Sequence, residues 1–288
     1  MEYLIHIAIL VGIYAILALS LNLVTGYTGI ISITHAAFFG IGAYATAILG
    51  THFHTNFLLT IVVGVLISAF LGCLIGAILS KFRGDFVALG SVCFNIVVWS
   101  FMINWSALTR GPLGIPGIPR PEFFGFSFSS NLSFLVLIWL FVLGVFLLCR
   151  FVTGSSFGRA LKAIREDEEV LQVFGYRVLH YKLAVFVIGA TLASVAGAFF
   201  ASYITYIDPS SFTINESIFI LSVIILGGLA SNRGAFFGAV ILVLLPEALR
   251  FVGFPADIAA QTRQGVYGLL LVLLMLYRPQ GLVGEYKL

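Results

Sequence analysis

Charged residues are scarce in this chain, and their scarcity decides which class of protein it belongs to. Only 9% of the 288 residues are Asp, Glu, Lys or Arg, whereas about a quarter of the residues in a soluble domain are charged. Hydrophobic residues make up 60% of the chain, and the mean hydropathy is +1.11. So little charge cannot cover a water-exposed surface, and the sequence therefore predicts an integral membrane protein.

Several chemical signatures are also missing. The three cysteines, Cys73, Cys93 and Cys149, fall in apolar segments and are too scattered for a disulfide framework or a metal cluster. The chain has no G-x-x-x-x-G-K-[ST] stretch to hold the phosphates of ATP. We therefore expect no enzyme activity and no cofactor in this chain. The net charge of +3 comes from basic residues clustered in a few loops, which indicates membrane topology rather than nucleic-acid binding.

Apolar runs of about 20 residues recur along the sequence, and each can cross a hydrocarbon layer about 30 Å thick. They are continuously apolar, which indicates helices rather than barrel strands. The predicted fold is one all-α transmembrane domain over residues 1–288, a polytopic bundle of about nine (eight to ten) helices. The seventh run is marginally long and is predicted as a short, tilted or re-entrant helix. The predicted runs are 3–24, 30–49, 57–79, 86–105, 132–152, 183–206, 218–229, 235–249 and 266–277.

The positions of Lys and Arg orient the predicted bundle. They are concentrated at 81–83, 150–182, 233 and 278–287, and loops rich in Lys and Arg remain in the cytoplasm. With nine spans these segments share one side, which places the amino terminus and the 106–131 segment outside. Segment 106–131 contains GPLGIPGIPRP, where proline removes backbone donors, so it is predicted as an external loop.

One long polar stretch, residues 154–182, interrupts the apolar runs. Ser155 or Ser156 is predicted to cap a helix there, and Gly175 is predicted to end it. The result is a helix lying along the cytoplasmic surface with an apolar underside, although the residues alone also allow an ordinary solvated basic loop. The predicted apolar positions are Phe157, Leu161, Ile164, Leu171 and Phe174.

The pattern SSFGRALKAIREDEE within this stretch resembles the cytoplasmic coupling loop of ABC importer permeases of the branched-chain amino acid type, the LivM group. In that family the loop seats in a groove on the ATPase subunit and transmits its closure. Val170 and Leu171 stand where relatives more often carry two alanines, which alters the predicted docking surface. Other segments resemble the same family in the same order: LNLVTGYTGIISITHAAFFGIGAYA (21–45), TRGPLGIPGIP (109–119), ILGGLASNRGAFFGA (225–239) and RPQGLVG (278–284).

The resemblance implies a permease subunit of an ATP-driven importer for branched-chain or other hydrophobic amino acids. It implies a homologous LivH-type permease, two ABC ATPases that carry ATP and Mg, and an extracytoplasmic substrate-binding protein as partners. It also implies the cytoplasmic membrane of a bacterium or archaeon. The residues that match the coupling loop are Gly158, Arg159, Ala160, Lys162, Arg165, Glu166, Glu168 and Gly175.

Polar side chains at membrane depth are the candidates for the translocation path, because they are costly there and usually face the bundle interior. These are Asn22, Thr25, Thr34, His35 and Asn95. Hydrogen bonding between helices is the other interpretation, and for Asn22 it is the favoured one.

Three other functions remain open from the residues alone. The first is an ABC permease for urea or short amides, and the second is a membrane anchor without transport activity. The third is an ion-coupled secondary transporter, which we expect to carry paired acids inside its spans. The sequence shows no convincing pair of this kind.

Overall fold

The computed structural model describes residues 2–82, 84–123, 126–251, 265, 268–269, 272, 276–277 and 280–284. Within these residues the chain is almost entirely helical, as predicted. The helices are α1 (Glu2–Leu21), α2 (His35–His52), α3 (Phe57–Leu79), α4 (Asp85–Asn104), α5 (Ser106–Thr109), α6 (Asn131–Gly154), α7 (Ser156–Glu166), α8 (Glu168–Val173), α9 (Val178–Ile204), α10 (Ile214–Gly227) and α11 (Asn232–Phe251). The strands are β1 (Ile115–Pro116), β2 (Glu122–Phe123), β3 (Phe126–Ser127) and β4 (Tyr206–Ile207).

Helices α1, α2 and α9 form the centre of the bundle. In α1 and α9, 67% and 61% of the apolar span is buried, against 28%, 22% and 28% in α3, α4 and α6. The outer helices therefore present leucine and phenylalanine side chains to lipid. The backbones of α2 and α9 touch: a Cβ on Gly42 would meet the Ser194 carbonyl oxygen, and one on Gly197 would meet the Phe39 carbonyl oxygen. Glycine is required at these crossings because any side chain would separate the two helices.

The prediction of about nine spans is not confirmed. Five helices of the described residues are long and apolar enough to cross a membrane, or up to six if the bent pair α10–α11 counts as one span. Helix α2, from the second predicted run, has only 18 residues and carries a histidine at each end. It is therefore not apolar enough to count among these membrane-span candidates. Most of the ninth run, 266–277, lies outside the described residues.

The link between α1 and α2 differs from the prediction. The second run was predicted from residue 30, but the helix begins at His35, and residues 29–34 are not helical. Helix α1 continues instead through a π-helical turn at Asn22–Gly26. The early start was predicted from hydrophobicity, which does not show that other elements bind the backbone of this link.

Segment 106–131 is a compact loop, as predicted, with only short pieces of regular structure. Besides α5 it contains a 3-10 turn at Gly111–Leu113. Strand β1 pairs antiparallel with β4, with Ile115 opposite Ile207, and β2 pairs with β3. The β1–β4 pairing ties the loop to the chain that follows α9.

The polar stretch forms two helices, and the prediction of one continuous helix is wrong. Asp167 is extended between α7 and α8, and its carboxylate accepts hydrogen bonds from the backbone N–H groups of Glu169 (2.9 Å) and Val170 (3.1 Å). An aspartate that caps the following helix stops the preceding one. Ser155 caps α7 as predicted, through the N–H of Gly158 at 3.4 Å, and Gly175 has φ +83°.

Helices α10 and α11 meet at a sharp bend of 120°. This geometry agrees with the prediction that the seventh run is a short or re-entrant element. Two backbone hydrogen bonds attach residues near the carboxyl terminus to the end of α10: Leu282 donates to Leu226 (3.0 Å) and Val283 to Gly227 (2.9 Å). The RPQGLVG segment therefore satisfies carbonyl groups that a helix end leaves open.

Candidate functional site

The non-helical link at residues 29–34 lies at membrane depth. The N–H of Ile33 donates to Ser91 Oγ at 2.9 Å, and Asn95 Nδ2 donates to the Ile33 carbonyl at 3.1 Å. Ser91 and Asn95 occupy the middle of α4, one of the span candidates. Non-helical backbone is tolerated in a membrane only where protein groups or a water-filled cavity satisfy it, and side chains of α4 do so here.

The amino ends of α2 and α10 meet beside this link. Ser217 Oγ accepts hydrogen bonds from the N–H of Ala36 (2.9 Å) and from Asn95 Nδ2 (2.7 Å). Ala36 and Ser217 both lie in the first turn of their helices. The partial positive charge of each helix end therefore falls at the same depth. In transporters, interrupted helices with this arrangement form substrate and ion sites.

Three of the five candidate path residues come together at this junction. Thr34 Oγ1 bonds Ser32 Oγ at 2.9 Å. His35 is only 2% exposed, and neither of its ring nitrogens has a hydrogen-bond partner among the described residues. The Oδ1 of Asn95 is also buried without a partner. Buried polar atoms of this kind are rare and are normally completed by a polar ligand or by ordered water.

The other two candidates lie in a second cluster, nearer the end of α1. Asn22 Oδ1 accepts from the N–H of Ala230 at 3.0 Å, and Asn22 Nδ2 donates to Asn232 Oδ1 at 3.4 Å. Asn232 in turn donates to Thr153 Oγ1 at 3.3 Å. Thr25 Oγ1 is buried without a partner among the described residues. This cluster ties the π turn of α1 to the bend between α10 and α11.

Helix α7 packs directly below the π turn. The guanidinium of Arg165 donates to the carbonyl of Gly26, and Lys162 Nζ lies 5.6 Å from the centre of the Tyr27 ring. A Cβ on Gly29 would lie 3.0 Å from Arg165 Cγ. The contacts therefore run from α7 to the π turn of α1, and from there to the bend between α10 and α11.

The remaining residues of the predicted coupling loop have distinct environments. Ala160 is buried against the bundle. Gly158 is buried where α6 turns into α7, and a Cβ there would meet the carbonyl of Thr153. Glu168 forms an ion pair with Lys182. The residues that face outward are Arg159, Glu166 and Gly175.

The far end of the polar stretch is an open surface. Helix α8 has no buried residue, and Val173 and Phe174 are 87% and 76% exposed. The predicted apolar underside therefore does not extend to Phe174. Of the two positions that depart from the family pattern, Val170 is exposed and Leu171 packs against the core, so only Val170 changes the outer surface.

Sequence reasoning missed Glu216, which lies just before the predicted seventh run. Its Oε1 accepts a hydrogen bond of 2.6 Å from the hydroxyl of Tyr14, which lies in the middle of α1. The carboxylate therefore lies within the membrane-spanning part of the bundle. Its signal in the sequence was a lone acid in the first turn of an apolar helix. Ser91 and Ser217 were missed because small polar residues are common in spans.

An apolar exterior, a few buried polar side chains and helices interrupted at membrane depth are typical of a multi-pass membrane permease. The chain belongs to the family described as branched-chain amino acid transport system / permease component, whose model matches residues 3–275. The permease role and the LivM-type resemblance expected from the sequence are thereby confirmed.

Individual relatives agree. The chain is 33% identical to the high-affinity branched-chain amino acid transport permease LivM of Salmonella typhimurium, over 97% of this chain and 69% of that protein. It is 24% identical to the probable LivM of Methanocaldococcus jannaschii, over 95% and 91% of the two chains. Identity to LivH of Salmonella typhimurium is 27%, over 94% and 91%. No solved structure matches the chain.

Proposed function

We propose that this chain lines part of the translocation path of an ATP-driven importer for branched-chain or other hydrophobic amino acids, and that helices α7 and α8 couple the path to ATPase subunits. The proposed setting is the cytoplasmic membrane of a bacterium or archaeon. The named substrates of the LivM and LivH relatives support the choice of amino acids.

One observation carries the coupling proposal. Arg165 of α7 contacts Gly26, the last residue of the π turn that follows α1, and Lys162 contacts the next residue, Tyr27. A partner that displaces α7 therefore displaces the π turn of α1. Asn22 in that turn carries the displacement to Ala230 at the bend between α10 and α11. The end of α1 and the bend between α10 and α11 therefore both respond to displacement of α7.

The path itself is proposed at the junction of α2, α4 and α10. Thr34, His35 and Asn95 supply polar atoms there, and the amino ends of α2 and α10 favour a carboxylate. The surroundings are otherwise apolar, which suits a zwitterion with an aliphatic side chain. Asn22 and Thr25 are assigned to the transmission of movement rather than to substrate contact.

The partners follow from what the chain lacks. The sequence has no P-loop to cradle the phosphates of ATP, and ATP and Mg are therefore assigned to two ABC ATPases. A homologous LivH-type permease completes the path, and an extracytoplasmic binding protein supplies the affinity for substrate. Coupling and passage, rather than tight binding, are left to the permease.

The test uses the complete transporter in proteoliposomes, with its binding protein, and measures ATP-driven uptake of labelled leucine. Glu166→Lys reverses a charge exposed on α7 and is expected to reduce uptake at least tenfold, because the ATPase meets this surface. Glu122→Lys reverses an exposed acid in the 106–131 loop and serves as the matched control.

The assay also includes labelled urea, which the wild-type transporter is expected not to accumulate. Full uptake of leucine by the Glu166→Lys transporter, with ATPases still attached, would contradict the coupling role of α7. Accumulation of urea without leucine would contradict the proposed substrate.

A further inference from the structure

A groove lies between α7 and the start of α9, on the same end of the bundle as α8. Its volume is about 590 Å³, and it is called here the aromatic groove. Phe174 and Gly175, which follow α8, form its outer rim, and the rest of its lining is Phe157, Tyr176, Arg177, His180, Tyr181 and Ala184. None of the acids at positions 166–169 lines it.

Three rings form the wall of the groove. Phe157 and Tyr181 stack with ring centres 5.4 Å apart, and Tyr176 lies 6.2 Å from Tyr181. Tyrosine is enriched where a membrane meets water, since its ring is apolar and its hydroxyl is polar. The wall thus has the composition of a membrane-interface site.

Two cationic or titratable side chains border the same groove. Arg177, the residue that precedes α9, and His180, in the first turn of α9, are both exposed and both line the groove. Neither side chain has a hydrogen-bond or ion-pair partner among the described residues. The neighbouring Lys182 is different, because it is already paired with Glu168. Arginine binds phosphate oxygens through two parallel hydrogen bonds, which makes a phosphate the natural ligand here.

The length of α9 places the groove at the level of the lipid head groups. With 27 residues, α9 is about 40 Å long at 1.5 Å per residue, longer than the hydrocarbon layer of about 30 Å. Its polar residues His180 and Lys182 lie at the amino end, so we infer that the first turns leave the hydrocarbon. Leu179 in these turns is 47% exposed, and Ala184 continues the groove into the apolar part of the helix.

We propose that the aromatic groove binds an anionic phospholipid. Arg177 and His180 hold the phosphate, while Phe157, Tyr176 and Tyr181 pack against the glycerol and the upper acyl chain. The uncompensated positive charge and the apolar wall that continues onto α9 favour a lipid over a protein segment. The lipid fills the space between α7 and α9 and fixes the helix that contacts α1.

The experiment measures lipid retained by the purified complete transporter after exchange into nanodiscs of equal phosphatidylglycerol and phosphatidylcholine, using native mass spectrometry. The wild type is expected to retain phosphatidylglycerol selectively. The double variant Arg177→Gln/His180→Gln is expected to retain at least tenfold less phosphatidylglycerol than the wild type. Arg159→Gln removes an exposed positive charge of α7 outside the groove lining and is expected to retain it.

Each contrary outcome has a defined meaning. Equal retention by the double variant overturns the site, and equal loss in Arg159→Gln shows general surface attraction instead. Displacement by inorganic phosphate would show a free-anion site. Loss of the ATPase subunits from the double variant, with lipid retained, would show a protein interface.

A second variant separates binding from folding. Tyr181→Phe keeps the stacked ring and should retain lipid, whereas Tyr181→Ala should release it while the transporter still elutes as an intact complex. Lipid retention is measured without transport. Failure of the lipid-site proposal is therefore distinguishable from failure of the proposed import function.

Discussion

Tyr14 and Glu216 form a side-chain hydrogen bond between two helices of the membrane-spanning bundle, α1 and α10. A charged carboxylate at membrane depth is costly, and it usually pairs with a polar group in the bundle interior. The hydroxyl of Tyr14 meets that need at 2.6 Å, and the Tyr14 ring lies edge-on to Phe219 with ring centres 5.4 Å apart. The pair therefore joins α1 to α10 close to the amino end of α10.

Tyr14→Phe removes the hydroxyl and leaves the half-buried carboxylate of Glu216 without this donor. We expect the free energy of unfolding of the purified protein to fall by about 1 kcal/mol, the usual net contribution of one hydrogen bond. Tyr277→Phe, at a position 81% exposed, is the control and should leave stability unchanged. Equal melting temperatures for Tyr14→Phe and the wild type would contradict the role given to this hydrogen bond.

Single residues also show how far sequence reasoning reached. Thr34, His35 and Asn95 were selected as costly polar residues, and all three are buried. Ser217 connects two of the elements they lie on, yet its residue type gave no signal. A side chain's cost in a membrane can be estimated from its type, but its partner depends on which helix lies opposite.

At the scale of elements, the contact between α2 and α9 holds the centre of the bundle. These helices cross backbone to backbone at Gly42 and Gly197. Close crossings of this kind depend on small residues because lipid provides no hydrophobic drive between helices.

Gly197→Ala places a methyl group against the Phe39 carbonyl and forces the helices apart. We expect a loss of about 1–3 kcal/mol, typical of overpacking, measured by thermal unfolding in detergent. Gly144→Ala on α6 is the matched control, since a Cβ there meets nothing within 4 Å. A Gly197→Ala protein as stable as Gly144→Ala would show that the crossing can relax.

The tetrapeptide AFFG occurs twice in the sequence, at 37–40 and at 235–238. Four residues alone do not distinguish an internal repeat from a coincidence. Both copies lie near the start of a helix that follows an interruption, in α2 and in α11. The interruptions contact each other through Asn22 and Ala230.

At the scale of the whole molecule, α7 is linked to both interrupted regions of the bundle. It contacts the chain at the end of the π turn that follows α1, and Asn22 in that turn binds Ala230 at the bend between α10 and α11. Arg165 is the closest link, because its guanidinium binds the Gly26 carbonyl at the end of α1. We propose that movement of α7 reaches the interior through this contact.

Arg165→Gln shortens the side chain and weakens this link. In the complete transporter we expect normal ATPase attachment but several-fold less leucine imported per ATP hydrolysed, because the motor moves α7 without moving α1. Arg150→Gln, which alters an exposed arginine near the end of α6 and lies outside the proposed coupling residues, should keep the wild-type ratio. An unchanged ratio in Arg165→Gln would place the transmission elsewhere.

Composition and pattern by themselves determined that the chain is a helical membrane protein, where most helices lie, and that a long polar stretch at 154–182 interrupts the apolar runs. These properties depend on local hydrophobicity and on proline and glycine chemistry, which each stretch carries in itself. The resemblance added the permease family. The break at Asp167 and the number of spans were not determined in this way.

Only the tertiary structure decided where α2 begins and which polar residues meet. The N–H groups of Ile33 and Ala36 bind side chains 58 and 181 residues away, and no local pattern encodes partners at such distances. Helix α4 binds the backbone of Ile33 in the 29–34 link through Ser91 and Asn95, and Ser217 of α10 binds the N–H of Ala36 in the first turn of α2. The junction therefore exists only when those helices are packed around it.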